Sequence, residues 1–184
     1  MKCPSPMTTS PSNLFNKRWD AFVPIGKPTL IFIPHKPVPA SRPRVAGRHG
    51  AYYTGPYADY RKVMPDKLAV VLKRLATKTR PLYDNVCLRV RMLFLVNPPS
   101  STSLEAPDPD IDNFEKAIYD ICTEQVWDDD SRIVQHQVLK DWTKPGEEEG
   151  EVIEVTTNGT PFKKASKRKA SKRSTVSRVS RRRA

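Results

Sequence analysis

The sequence predicts a small single domain of the α/β (α+β) class, a mixed β-sheet flanked by helices, followed by a disordered basic arm. Apolar runs of strand character alternate along the chain with stretches at helical spacing, the pattern of interleaved strands and helices. The 184 residues suffice for one domain and a tail, and no internal repeat divides them. Charge falls in blocks: residues 1–106 hold 17 Lys/Arg and 5 Asp/Glu, 107–162 hold 4 and 15, and 163–184 hold 11 and none. These shifts divide the chain into a loose segment 1–28, a folded domain 29–158 and a basic tail 159–184.

Residues 1–28 are punctuated by Pro and Ser. Thr29 to Ile33 is a continuous apolar, β-rich run and predicts a strand ending at Pro34. From His35 to Val45 the prolines forbid helix and central strand, leaving an extended basic segment. Ala51 to Thr54 suits a short strand. Leu68, Val71, Leu72 and Leu75 recur at helical spacing, predicting a helix over 66–77 with Pro65 in its first turn. Val86 to Val96 alternates as a long strand with Arg89 and Arg91 on one face. After a Pro/Ser-rich loop, Ile111, Phe114, Ala117, Ile118, Ile121 and Cys122 mark an amphipathic helix over 112–124. Ile133 to Leu139 reads as a strand and Val152 to Val155 as a short final one.

The same reading excludes several classes. No run of 18 apolar residues exists, and Met1 to Pro6 opens no signal-peptide core, so a cytoplasmic protein without a membrane partner is expected. Cys3, Cys87 and Cys122 lack CxxC spacing, which argues against a disulfide framework and a zinc site, and Cys87 and Cys122 fall on apolar faces. His35, His49 and His136 are isolated and read as structural.

The acidic block carries the chemistry. Asp108, Asp110 and Asp112 stand at i, i+2 and i+4 immediately before a helix, and carboxylates that converge repel one another unless a cation lies between them. Hard oxygen donors in that arrangement suit Mg²⁺ or Mn²⁺. Asp128, Asp129 and Asp130 follow the helix and offer a remaining ligand, while Lys116 sits one helical turn beyond Asp112. Metal, carboxylates and one lysine are what phosphodiester hydrolysis requires. Simpler roles exist for each: Asp112 with Glu115 forms a capping-box pattern, Lys116 a solvated helix residue, and Asp128 to Asp130 an acidic turn. A calcium loop fails, since its sixth position is Asn113 and its twelfth Tyr119.

The string from Pro109 through Asp110, Asp112, Asn113 and Lys116 to Asp120, followed by Val126, Trp127, Asp128, Asp129, Asp130, Ser131, Arg132 and Ile133, resembles the RusA family of Holliday-junction resolvases. That family shows D-x-D-N-x-x-K, an Asp four residues on, then W-x-D-D before a strand. Pro37 to Arg44 also resembles its basic, Pro-rich early segment, and the likeness spans roughly residues 29–142. The resemblance implies a RusA-like α/β homodimer that binds four-way DNA junctions and cuts them symmetrically with Mg²⁺. It makes Asp110, Asp112 and Asp130 the metal-binding catalytic carboxylates and Lys116 the catalytic lysine. Two departures stand out: the connection from helix to Trp127 is one residue short and lacks the usual Gly, and Asp128 fills the variable position. They leave the third ligand open between Asp129 and Asp130.

Arg42, Arg44, Arg48, Arg61 and Lys62 cluster in sequence with Tyr52, Tyr53, Tyr57 and Tyr60, a mixture suited to phosphate contacts and base stacking, or equally to a basic surface over core tyrosines. The tail, including Lys163, Lys164, Lys167 and Arg168, adds a basic arm with no apolar anchor. Branched DNA is thus the expected partner. The alternatives are a non-enzymatic basic nucleic-acid-binding protein and a carboxylate-metal nuclease acting on flaps or other branches.

Overall fold

β4 (Val86–Val96) has the ends its alternation predicts and becomes an inner strand of the sheet. The structure, a computed structural model, describes residues 22–45, 51–75 and 81–162. Its order is β1 (Ile25–Ile33), β2 (Arg44–Val45), β3 (Ala51–Tyr52), α1 (Pro56–Arg74), β4, α2 (Ile111–Cys122), a 3-10 turn (Asp130–Arg132), β5 (Ile133–Trp142) and β6 (Gly150–Pro161). Four strands form a mixed sheet in the order β1-β6-β4-β5, and β2 and β3 pair separately. β6 runs antiparallel to β1 and β4, while β4 and β5 are parallel. Parallel neighbours need a crossover, and α2 supplies it. The site motif therefore lies along the β4–α2–β5 crossover.

Period-two alternation divides the sheet into two faces. Leu88, Val90, Met92 and Phe94 of β4, with Ile31, Ile33, Ile153 and Val155, are buried in one cluster with both helices. Phe94 stacks on Phe114 of α2 with centroids 5.1 Å apart. On the other face Phe32, Val152, Leu93 and Leu139 stand in one cross-strand row, and Leu30 and Leu139 are exposed. Gly150 opens β6 where a Cβ would lie 2.8 Å from the Ile33 carbonyl oxygen, so a larger residue there would push β1 off β6.

Several expectations change, and the first is that β1 begins at Ile25, inside the segment 1–28 expected to be loose. α1 begins at Pro56, not near 66, and Pro65 lies inside it. Pro65 removes one intrahelical N–H, yet the buried stripe Tyr57, Tyr60, Met64, Leu68 and Leu72 runs straight through it, and packing outweighs the lost bond. The short strand expected at 152–155 is a 12-residue strand paired on both sides, because ladder bonds extend it beyond its apolar centre. β6 also reaches Pro161, and the Phe162 N–H donates to the Asn85 carbonyl at 2.9 Å, so the folded part passes the expected boundary at 158. The expected disorder of the loose N-terminal segment up to residue 21 and of 163–184 lies outside the described residues.

Candidate active site

The chain enters α2 through Asp110, its N-cap, with φ −58° and ψ 139° and no capping bond from its side chain. The Asp112–Glu115 capping box does not form. Asp112 stands in the first turn, while Glu115 is engaged by Tyr119 and His136. Both aspartates are exposed at the positive end of the helix dipole, and Lys116 is exposed one turn along. Among the described residues, no hydrogen bond or ion pair is made by the side chain of Asp110, Asp112, Lys116 or Asp130, while the Asp110 and Asp130 carbonyls accept from the Asn113 and Ile133 N–H groups.

The Asp128–Asp130 run divides by duty. Asp128 takes Arg132 Nε at 2.8 and 2.9 Å and lies 3.4 Å from the Asn85 N–H. Those Arg132 hydrogen bonds hold its carboxyl below the usual carboxylate range. Arg132 in turn packs over the Phe162 ring at 4.8 Å. Asp129 caps the 3-10 turn, accepting from the Ser131 N–H at 2.9 Å. Asp130 is exposed and lines a cavity of about 280 Å³ with Glu115, Tyr119 and His136. Trp127 is fully buried and anchors the run; just before it Glu124 adopts φ 68°, the left-handed conformation a glycine would take freely.

Several residues of the site carried no local signal. His136, expected to be isolated, places Nδ1 against Glu115 and 3.1 Å from Tyr119 Oη. Burial and the Glu115 bond push the Tyr119 phenol up. Lys140 Nζ donates to the Pro109 carbonyl at 2.6 Å, pinning the turn before Asp110 to β5. The Ala40 N–H donates to the Asn113 carbonyl at 2.8 Å, which lays the Pro-rich segment along the start of α2. Asp120 accepts from Tyr57 Oη, and burial together with that bond raises the Tyr57 phenol.

A family profile described as Endodeoxyribonuclease RusA matches residues 34–156, more than half of the chain. The chain belongs to the RusA endodeoxyribonuclease family. Its class is therefore that of a nuclease, a hydrolase of DNA phosphodiesters, in a family that acts on Holliday junctions. A comparison with curated proteins finds no match. The RusA match opens at Pro34 and so takes in the basic segment, both helices and β4 and β5.

RusA resolvases generally depend on a divalent metal. Among the described residues no group of three or more His, Cys, Asp or Glu side chains is gathered so as to hold an ion. The donor chemistry nonetheless fits a hard divalent cation, because Asp110, Asp112 and Asp130 are carboxylates left exposed by their own elements.

The expected DNA-binding residues separate in the RusA domain. Arg42 and Arg44 are exposed, two and four residues beyond the Ala40 that bonds Asn113, Arg61 lies 4.6 Å over the Tyr53 ring, and Lys62 approaches Asp59 at 3.6 Å on the surface. Tyr57 and Tyr60 are buried at 1% and 2% exposure and fill the core, so of the two readings open for them base stacking is excluded. Tyr52 remains exposed. Arg48, Lys163, Lys164, Lys167 and Arg168 lie outside the described residues. Among the described residues no helix is long and apolar enough to cross a membrane.

Proposed function

We propose that this chain is a Mg²⁺-dependent endonuclease that binds four-way DNA junctions and cleaves them symmetrically during recombination and repair, acting as a homodimer on the nucleoid. The observation that supports this reading is that Asp110, Asp112, Lys116 and Asp130 fall along one crossover with exposed side chains that make no hydrogen bond or ion pair among the described residues. Asp110, Asp112 and Asp130 would hold Mg²⁺, or Mn²⁺ in its place, with Asp129 as the alternative third ligand. The bound ion would lower the pKa of a coordinated water and offset charge at the phosphate. Lys116 stabilises the negative charge that develops on the phosphate and leaving oxygen. Arg42 and Arg44 bind the backbone beside the α2 entry, and Arg48, Arg61, Lys62 and the tail extend that contact. A two-fold dimer presents two such sites to a two-fold junction.

The test is cleavage of a four-way junction with Mg²⁺ and with chelator, beside flap and linear duplex substrates. Asp130→Asn is expected to slow cleavage by roughly 10³-fold, the scale of a lost catalytic electrostatic contact. Asp129→Asn is expected to cost far less, and rate assays on the pair check the choice of ligand. Equal losses would place the third ligand at both or neither.

The tail adds affinity rather than recognition. It carries 11 Lys/Arg and no Asp/Glu. Each phosphate it engages adds about 0.9 to the slope of log K against log salt on duplex DNA. Deleting residues 163–184 is expected to lower that slope, and to weaken junction and duplex binding by similar factors. A salt titration reads this directly; an unchanged slope would make the tail a bystander.

A further inference from the structure

We propose that His136 is a positioning residue of the cleavage site, joining the helix that carries Asp112 and Lys116 to the strand that follows Asp130. The inference rests on the metal-dependent reading above and names a residue that the D-x-D-N and W-x-D-D motifs do not contain. His136 stands opposite Val90 in the β4–β5 ladder and so shares the helix-covered face of the sheet. From there its Nδ1 meets Glu115 Oε1, the oxygen that also accepts from Tyr119 Oη. Asp112, Glu115 and Tyr119 fall at i, i+3 and i+7 along α2, so a hold on Glu115 and Tyr119 is a hold on the stripe that carries Asp112.

The same cluster reaches the third segment of the site. The Tyr119 ring meets Trp127 edge-on, with centroids 6.1 Å apart at 78°, and Trp127 leads directly into Asp128–Asp130. Glu115, Tyr119, His136 and Asp130 then line one cavity. Helix and strand are thus tied at the Glu115 carboxylate, and the acidic loop meets them through the Tyr119–Trp127 ring contact. The Glu115 side chain is only 15% exposed, and a carboxylate so enclosed needs its donors. Tyr119 supplies one and the His136 Nδ1–H the other.

Side chains that orient metal-binding groups typically change metal affinity or activity by about 10–100-fold when removed. The test uses the full chain and Mn²⁺ alone as probe, with free aqua-ion followed by its electron paramagnetic resonance signal. His136→Ala is expected to raise the Mn²⁺ half-saturation concentration about tenfold or more, at unchanged melting temperature and unchanged junction binding. His136→Asn, whose amide donates from nearly the position of Nδ1, is expected to restore most of that affinity. Unchanged Mn²⁺ binding in His136→Ala would overturn the proposal. So would equal losses in Ala and Asn accompanied by a fall in melting temperature, which would mark a purely structural residue. A wild-type chain that binds no Mn²⁺ and cuts no junction would fail the metal-dependent reading itself, and the positioning role with it.

Discussion

Asp110→Asn and Asp112→Asn are each expected to reduce junction cleavage by roughly 10³-fold or more while leaving junction binding intact or tighter. Each substitution keeps the shape of the side chain and removes one negative charge from a surface that must meet phosphate. Less repulsion favours binding; the lost ligand removes the chemistry. Neither change is expected to unfold the domain. Asp110 makes no capping bond, and Asp112 is exposed in the first turn of α2. Loss of a favourable charge at the helix start costs only about 0.3–1 kcal/mol. Cleavage gels and binding isotherms on the same preparations check both halves, and wild-type rates in either variant would exclude that residue as a ligand.

Glu151→Gln is expected to stabilise the protein at neutral pH. Glu151 is fully buried on β6, with Tyr60 Oη donating to Oε1 at 2.8 Å and no partner among the described residues at Oε2. Burial pushes its carboxyl up to about 8, against a smaller opposing effect of the Tyr60 bond. The folded chain therefore holds this proton more tightly than the unfolded chain, whose value is near 4.5. Stability from this group is full below about 4.5, declines as pH rises, and is lost once pH passes about 8. By pH 7 the loss is roughly 3 kcal/mol. Gln keeps the Tyr60 bond and cannot ionise, so the variant should melt about 5–10 °C higher at pH 7 and match wild type near pH 4.5. Melting curves from pH 4.5 to 8.5 check this, and parallel curves for the two proteins would contradict it.

What the sequence disclosed follows from what leaves a local trace. β4 and α2 were legible because VCLRVRMLFLV alternates cleanly and Phe114, Ala117, Ile118 and Ile121 keep helical phase. The first half of α1 was not, because Pro65 interrupts it and the apolar stripe there is made of tyrosines and Met64. β6 was read short because Glu151 and Thr156, both buried, break its apolar run. In the site, Asp110, Asp112, Lys116 and Asp130 stood in a recognisable string of the RusA family. Lys140 on Pro109, Ala40 on Asn113 and His136 on Glu115 did not, since each joins residues 21 or more positions apart, and only the folded crossover brings them together.

The central claim is that these carboxylates make a metal-dependent, junction-selective nuclease. The most direct measurement is a gel of end-labelled four-way junction, with linear duplex beside it, incubated with the full chain in Mg²⁺ and in excess chelator. The account predicts paired, symmetric cuts in opposing strands of the junction in Mg²⁺, none in chelator, and little cutting of duplex. Cleavage that persists in chelator, or binding of the junction with no cleavage at any Mg²⁺ or Mn²⁺ concentration, would contradict it.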